Sequence, residues 1–188
     1  MSAPNLYRIT VDEYERIGAA GVLDDDRVEL IDGFLVRKLT EKPPHVWTVE
    51  TIEESLAALL PQGWFIRQEK PVRIPAFDEP EPDLSVIRGS RDDYLERHPE
   101  PKDVALLVDV ADSSLDRDQG KKLLAYAKGG IPVYWIVNLV ERQVEVYSDP
   151  APKGYQSRKD FKSGQDLPVI IEGVEVARII VADILPNS

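Results

Sequence analysis

The sequence predicts a mixed α/β fold, and three observations carry that reading. Val104-Ala-Leu-Leu-Val-Asp-Val110 is apolar at all but one position, as expected of a central strand buried on both faces. Strand-like runs alternate with stretches of helical apolar spacing, the arrangement that lays helices on the faces of a sheet. The 188 residues are 43% hydrophobic, and a chain of this length buries roughly 70% of the surface its unfolded form exposes. One domain is expected over residues 1–188, with a core at about 27–148 and a β-rich tail at 149–188.

The elements follow in order. Thr10-Val-Asp-Glu13 reads as a capping box opening a helix to about Ala20. Arg27 to Leu39 predicts two strands around an Asp32-Gly33 turn. After Pro43-Pro44, the positions Val46, Val49, Ile52, Leu56, Leu59 and Leu60 recur at helical spacing, stopped by Pro61 and Gly63. Trp64 to Ile74 predicts one strand, bent near Pro71. A proline-rich acidic loop, Pro75 to Pro82, leads into the short strand Asp83-Leu-Ser-Val-Ile87. Beyond the Val104–Val110 strand a helix is expected from about Asp116 to Lys128, closed by Gly129-Gly130 and Pro132. Val133 to Asn138 and Val144 to Tyr147 read as strands, and Ile170 to Leu185 as one or two more.

Composition narrows the chemistry. The absence of cysteine excludes disulfides, thiolate zinc sites and cysteine nucleophiles, and makes the cytoplasm the default compartment. Met1 to Thr10 lacks the pattern of a secretory signal, and no apolar run is long enough to span a membrane. With His45 and His98 as the sole histidines, a three-histidine metal site is excluded. Any metal is therefore expected to be a hard cation on carboxylate oxygens, Mg²⁺ or Mn²⁺. The net charge of −11 argues against a general electrostatic grip on nucleic acid, but not against a local basic groove.

Asp109 is the sharpest local anomaly, a carboxylate inside an apolar strand. Burying it needs hydrogen bonds, a cation or a metal, unless it lies at the strand end and caps the turn before Ser113-Ser114. Alternation places Leu107 and Asp109 on one face and Val108 and Val110 on the other. Asp83 opens its own short strand, and two aspartates on neighbouring strands can chelate divalent cations suited to phosphodiester hydrolysis. On the helix after Asp109, Lys122 stands four residues beyond Asp118, the spacing of an ordinary surface ion pair. Lys121 competes as the functional lysine, but helical phase favours Lys122, one turn from Tyr126 on the apolar side.

Several pieces then fall in line: Arg27-Val-Glu-Leu-Ile-Asp-Gly33, Glu81-Pro-Asp83, Leu107-Val-Asp-Val-Ala-Asp-Ser-Ser-Leu115, Asp118-Gln-Gly-Lys-Lys122, Tyr126, and Gly130-Ile-Pro-Val-Tyr-Trp-Ile-Val137. In this order, over about 110 residues, they resemble the Uma-type restriction endonuclease family, a branch of the PD-(D/E)XK nuclease superfamily. The resemblance implies a restriction-endonuclease-like core, a mixed central sheet flanked by helices, with additional strands at the C-terminal end. It also implies a magnesium-dependent nuclease site in which Asp83 and Asp109 are metal ligands, joined by the backbone carbonyl of Val110. Glu29 matches a further acidic position, binding metal directly or through water. Position 111 is alanine, so the catalytic lysine falls on the following helix, at Lys122. His45 stands where such proteins often open their second helix with histidine. The family's usual residue at position 109 is glutamate, and aspartate here shortens the ligand by about 1.5 Å, one C–C step.

The expected function is that of a metal-dependent endonuclease acting on DNA, with Mg²⁺ as cofactor and Mn²⁺ as substitute. A homodimer follows by analogy, since two sites cut a duplex most simply. The alternative is a catalytically weak or inactive nuclease-fold module that binds nucleic acid or another partner, favoured by Asp109 and by the −11 charge. A two-carboxylate glycosidase using Trp47, Trp64 and Trp135 for stacking ranks last, since it has no use for the lysine. Candidate DNA contacts are Lys153, Arg158, Lys159 and Lys162 in one segment, and Arg67, Lys70 and Arg73 in another.

Overall fold

The computed structural model describes residues 6–23, 27–38 and 40–187. Helix α1 (Val11–Ala19) opens on the expected capping box: Thr10 Oγ1 accepts from Glu13 N at 3.3 Å, and Glu13 Oε2 accepts from Thr10 N at 2.9 Å. Strands β1 (Val28–Ile31) and β2 (Phe34–Arg37) form an antiparallel hairpin. Its turn residues Asp32 and Gly33 have φ of 53° and 78°, the left-handed pair that a two-residue turn needs. A Cβ on Gly33 would also stand 2.6 Å from Arg8 Cβ. Leu39, the expected end of this region, lies outside the described residues.

Helix α2 (Pro43–Ala57) buries Val49, Ile52 and Leu56 at the predicted spacing. The expected strand from Trp64 to Ile74 is shorter: β3 covers Trp64–Gln68. Glu69 then turns to φ 47°, with its N–H on Asp83 O at 3.0 Å, and the chain leaves the sheet before Pro71. β4 (Leu84–Arg88) and β5 (Val104–Ala111) match expectation, and every residue of β5 is buried.

The helix expected over 116–128 is broken in kind. A single α-turn, α3 (Leu115–Arg117), runs into a π-helical turn (Asp118–Lys122) and then into α4 (Leu123–Gly129). Gly130 caps α4 at φ 79°. β6 (Val133–Asn138) and β7 (Gln143–Ala151) follow, the latter longer than its apolar centre. β8 (Gly154–Lys162) forms from the basic segment; its Tyr-Gln-Ser-Arg-Lys-Asp-Phe run carries no strand pattern because an exposed edge strand needs little apolar surface. β9 (Asp166–Ile171) and β10 (Val174–Ile180) make a C-terminal hairpin.

The main sheet has the order β3-β4-β5-β6-β7-β8, antiparallel except for the β5–β6 pair. That parallel pair is the one bridged by the α3–π–α4 crossover, as strand-to-parallel-strand connections require. One face packs α2 and the β9–β10 hairpin against Val86, Val108, Val110 and Trp135. The other packs Tyr126 of α4 against Leu107, Ala111, Tyr134 and Ile136. Leu107 and Val108 thus divide between the faces as alternation predicts. Among the described residues no helix is long and apolar enough to cross a membrane.

Candidate active site

The β5–β6 crossover delivers a lysine to the face on which β5 buries a carboxylate. Asp109 stands within the strand, two residues short of its end, so it does not cap the following turn. Four donors surround it. Lys122 Nζ lies 2.8 Å and Asp83 N 3.4 Å from Oδ1, while Tyr134 OH lies 2.8 Å and Tyr126 OH 3.4 Å from Oδ2. Lys122 is fully buried, and its pairing is with Asp109 and with Glu29 Oε2 at 3.5 Å, not the surface pair with Asp118 that its spacing allows. Lys121 points elsewhere, its Nζ 5.1 Å from the centre of the Phe34 ring.

Asp83 sits where the loop enters β4. Its Oδ2 accepts from Val110 N at 2.6 Å and meets His45 Nε2 at 3.1 Å, so His45 is a direct partner of the first aspartate. Glu29, on β1, is fully buried; its Oε2 accepts from Glu81 N at 3.0 Å, which ties the N-terminal hairpin to the loop carrying Asp83. The structure therefore brings Glu29, Asp83, Asp109, Val110, Lys122 and His45 to one cleft of about 50 Å³. That volume is room for a few water-sized species.

Burial works against the charge on Lys122, but Asp109, Tyr126, Glu29 and Asp118 outweigh it and raise its pKa well above that of a free lysine. Burial also acts against protonated His45, and Asp83 overcomes it, again raising the pKa. Asp118 shows the opposite balance. Burial and then the charge of Asp109 push its carboxyl up to about 7, although Ser114 OH donates to it at 2.5 Å.

Several cleft residues escaped the sequence reading. Lys38 Nζ bridges Glu81 Oε2 at 3.0 Å and Glu69 Oε1 at 3.1 Å, and Arg117 Nη1 approaches Glu29 Oε1 at 3.7 Å. The hydroxyls of Tyr126 and Tyr134 on Asp109 had a signal: Tyr134 is two residues from Ile136, which pairs with Asp109 across the parallel strands. The π-turn had none, because an extra residue in a helical turn leaves no mark in apolar spacing. Its Gln119 Nε2 donates to both carboxylate oxygens of buried Glu145 at 2.9 Å, which anchors the turn to β7.

The donors fit a hard cation in type, since all are oxygens. Glu29 Oε1 is buried without a hydrogen-bond donor, an acceptor that a cation in the cleft would satisfy. The present arrangement is not a finished ligand cage: among the described residues no three acidic or imidazole groups converge as metal ligands. The ammonium of Lys122 stands between Asp109, Glu29 and the carbonyl of Glu81, the last at 3.4 Å.

A mixed sheet that brings one strand-borne aspartate, a second at the entry to the neighbouring strand and a helix-borne lysine into one cleft defines a protein of the nuclease-fold class. The chain belongs to the Uma2 family, described as "Putative restriction endonuclease", whose profile matches residues 11–178. Its fold is similar to the crystal structure of a protein from Anabaena variabilis described as a "putative nuclease belonging to DUF820". The two are 18% identical, with a TM-score of 0.70 over 94% of this chain and 97% of that one, a likeness of fold. No curated protein matches the chain.

Proposed function

We propose that this chain is a metal-dependent endonuclease that hydrolyses DNA phosphodiester bonds, acting in the cytoplasm as a homodimer with Mg²⁺, or Mn²⁺ in its place. The observation that supports this most is the meeting of Asp83, Asp109 and Glu29 with Lys122 in one small cleft. Asp83, Asp109 and the Val110 carbonyl are the groups to hold the cation, with Glu29 in support. When bound, the cation polarises the phosphate and makes hydroxide available near neutral pH. Lys122 orients the attacking water and offsets charge on the phosphate. His45 holds Asp83 in place from α2, and Tyr134 does the same for Asp109 from β6.

A second reading, a weak or inactive nuclease-fold binding module, is favoured by one observation. Asp109 already accepts from four donors, so it must exchange one of them to reach a cation. Calorimetry with Mn²⁺ and nicking of supercoiled plasmid separate the two. The nuclease reading expects Mn²⁺ binding and nicking by the wild type, with both lost in Asp83→Asn. Wild type that neither binds Mn²⁺ nor nicks DNA leaves the module.

A further inference from the structure

The open edge of the main sheet carries a second cleft, of about 350 Å³, lined by Phe65, Arg67, Lys70, Arg91 and Tyr94, with Glu53 beside them. Three cations against one carboxylate is an unusual local balance in a chain of net charge −11. Among the described residues none of the three makes an ion pair, whereas Arg73 is bound to Asp12 and Glu15, and Arg158 to Asp160 and Glu145. Arg67 stands out further. Its Nη1 is closed off from water with no hydrogen-bond acceptor, and its guanidinium faces the Tyr94 ring at 6.0 Å. Burial lowers its pKa, with Tyr94 acting weakly the other way. A half-desolvated cation lacking an acceptor is a standing cost to the fold, and an arriving anion relieves it.

The position of this cleft matters. Arg67 pairs with Ser85 across the β3–β4 ladder, and Ser85 is two residues from Asp83. The side chains of Arg67 and Ser85 therefore rise from one face of the sheet, and Asp83 stands just before β4, two residues or about 7 Å of chain from Ser85. Tyr94 and Phe65, their ring centres 5.9 Å apart, supply apolar faces beside the cations.

We propose that the Arg67–Lys70–Arg91 cleft holds neighbouring backbone phosphates of duplex DNA, one to each cation, flanking the position cut at the Asp83 site. This rests on the nuclease reading and gives it a substrate track. A strongly acidic protein must hold a polyanion by such local sites, and phosphate contacts fix register without reading sequence.

The test is fluorescence anisotropy with a labelled duplex of about 20 base pairs in EDTA over a salt series, so that binding is read without cleavage. Changing Arg67, Lys70 and Arg91 together to Gln should weaken binding at least about tenfold and lower the salt slope by about 2–3, near 0.9 per lost phosphate contact. The double variant Lys70→Gln with Arg91→Gln, which spares half-buried Arg67, should lower the slope by about 1.8 with an unchanged melting curve. Changing Lys153, Lys159 and Lys162 to Gln, on and beside the opposite edge strand β8, should leave binding intact. Wild-type affinity and slope in both cleft variants, no DNA binding by the wild type, or loss confined to the β8 variant would each overturn the proposal. Plasmid nicking is scored separately: a wild type that binds through this cleft yet never cuts refutes the nuclease and keeps the binding site.

Discussion

Lys122 Nζ lies 2.8 Å from Asp109 Oδ1, and the two side chains are 3% and 2% exposed. A pair so enclosed contributes less by its attraction than it costs when half of it is removed. Lys122→Met should lower stability by about 3–5 kcal/mol, because it leaves Asp109 charged and unmatched. Adding Asp109→Asn should recover most of that loss, the non-additivity expected of residues in contact. Thermal unfolding followed by circular dichroism measures both. Equal melting of Lys122→Met and wild type would mean that this pair does not hold the fold together. For the same reason Lys122→Ala is a poor probe of chemistry alone, and Asp83→Asn, at a side chain that is 14% exposed, is the cleaner one.

Asp109 is one methylene shorter than a glutamate, and its Oδ2 accepts from the Tyr134 and Tyr126 hydroxyls. Asp109→Glu should carry the carboxylate past those hydroxyls toward Asp83. Mn²⁺ affinity by calorimetry should rise about tenfold or more, equivalent to about 1.4 kcal/mol. Urea unfolding should show a stability loss of about 1–3 kcal/mol, since the extra methylene enters a filled interior. Unchanged affinity would show that the position of this carboxylate does not limit cation binding.

What was legible in the sequence follows from where the physics is local. The capping box at Thr10, the Asp32-Gly33 hairpin and the apolar β5 strand are each dictated by neighbouring residues, and each stands as read. That Lys122 rather than Lys121 lies beside Asp109 also agrees with the helical phase, even though a π-turn interrupts the helix. The end of β3 was not, because Gln68 and Ile74 are both acceptable in a strand and the exit depends on Glu69 N reaching Asp83 O across the sheet. Nor was β8, whose strand identity comes from pairing with β7 rather than from its own residues. Asp109 was visible as an anomaly, but its saturation by tyrosines from β6 and α4 depends on the parallel β5–β6 register, which only the fold fixes.

The π-turn makes Glu145 a remote support of the cleft. Besides Gln119, this buried carboxylate accepts from Asn138 Nδ2 at 2.9 Å and Tyr147 OH at 2.7 Å. π-turns are intrinsically poor and persist where tertiary contacts hold them. Gln119→Ala removes the bidentate donor and should lower stability by about 1.5–3 kcal/mol, the range for a hydrogen bond to a charged group. Amide hydrogen exchange across residues 118–122 should quicken while that of β5 stays slow. Uniform exchange changes, or none, would show that the turn is held by α4 packing and not by Glu145.

Glu79 gives the fold a pH dependence of defined sign. Burial, then the charge of Glu15 and a hydrogen bond shared with it, push the Glu79 carboxyl from 4.5 up to about 8, against the opposing charge of Arg73. Its Oε2 is buried without a partner, and its backbone pairs with Leu30 beside the Glu29 strand. Between these two values the folded chain keeps a proton that the unfolded chain has lost, so stability falls as pH rises through that window. Glu79→Gln mimics the protonated form and should remove this slope. Near pH 4, below the window, the variant and wild type should melt within about 1 °C of each other. At about pH 8.5 the variant should melt higher by at least about 2–4 °C, the shift expected for roughly 1 kcal/mol in a chain of this size. Melting curves that stay parallel from about pH 4 to about pH 8.5 would place the Glu79 proton outside this window and leave the loop before Asp83 insensitive to it.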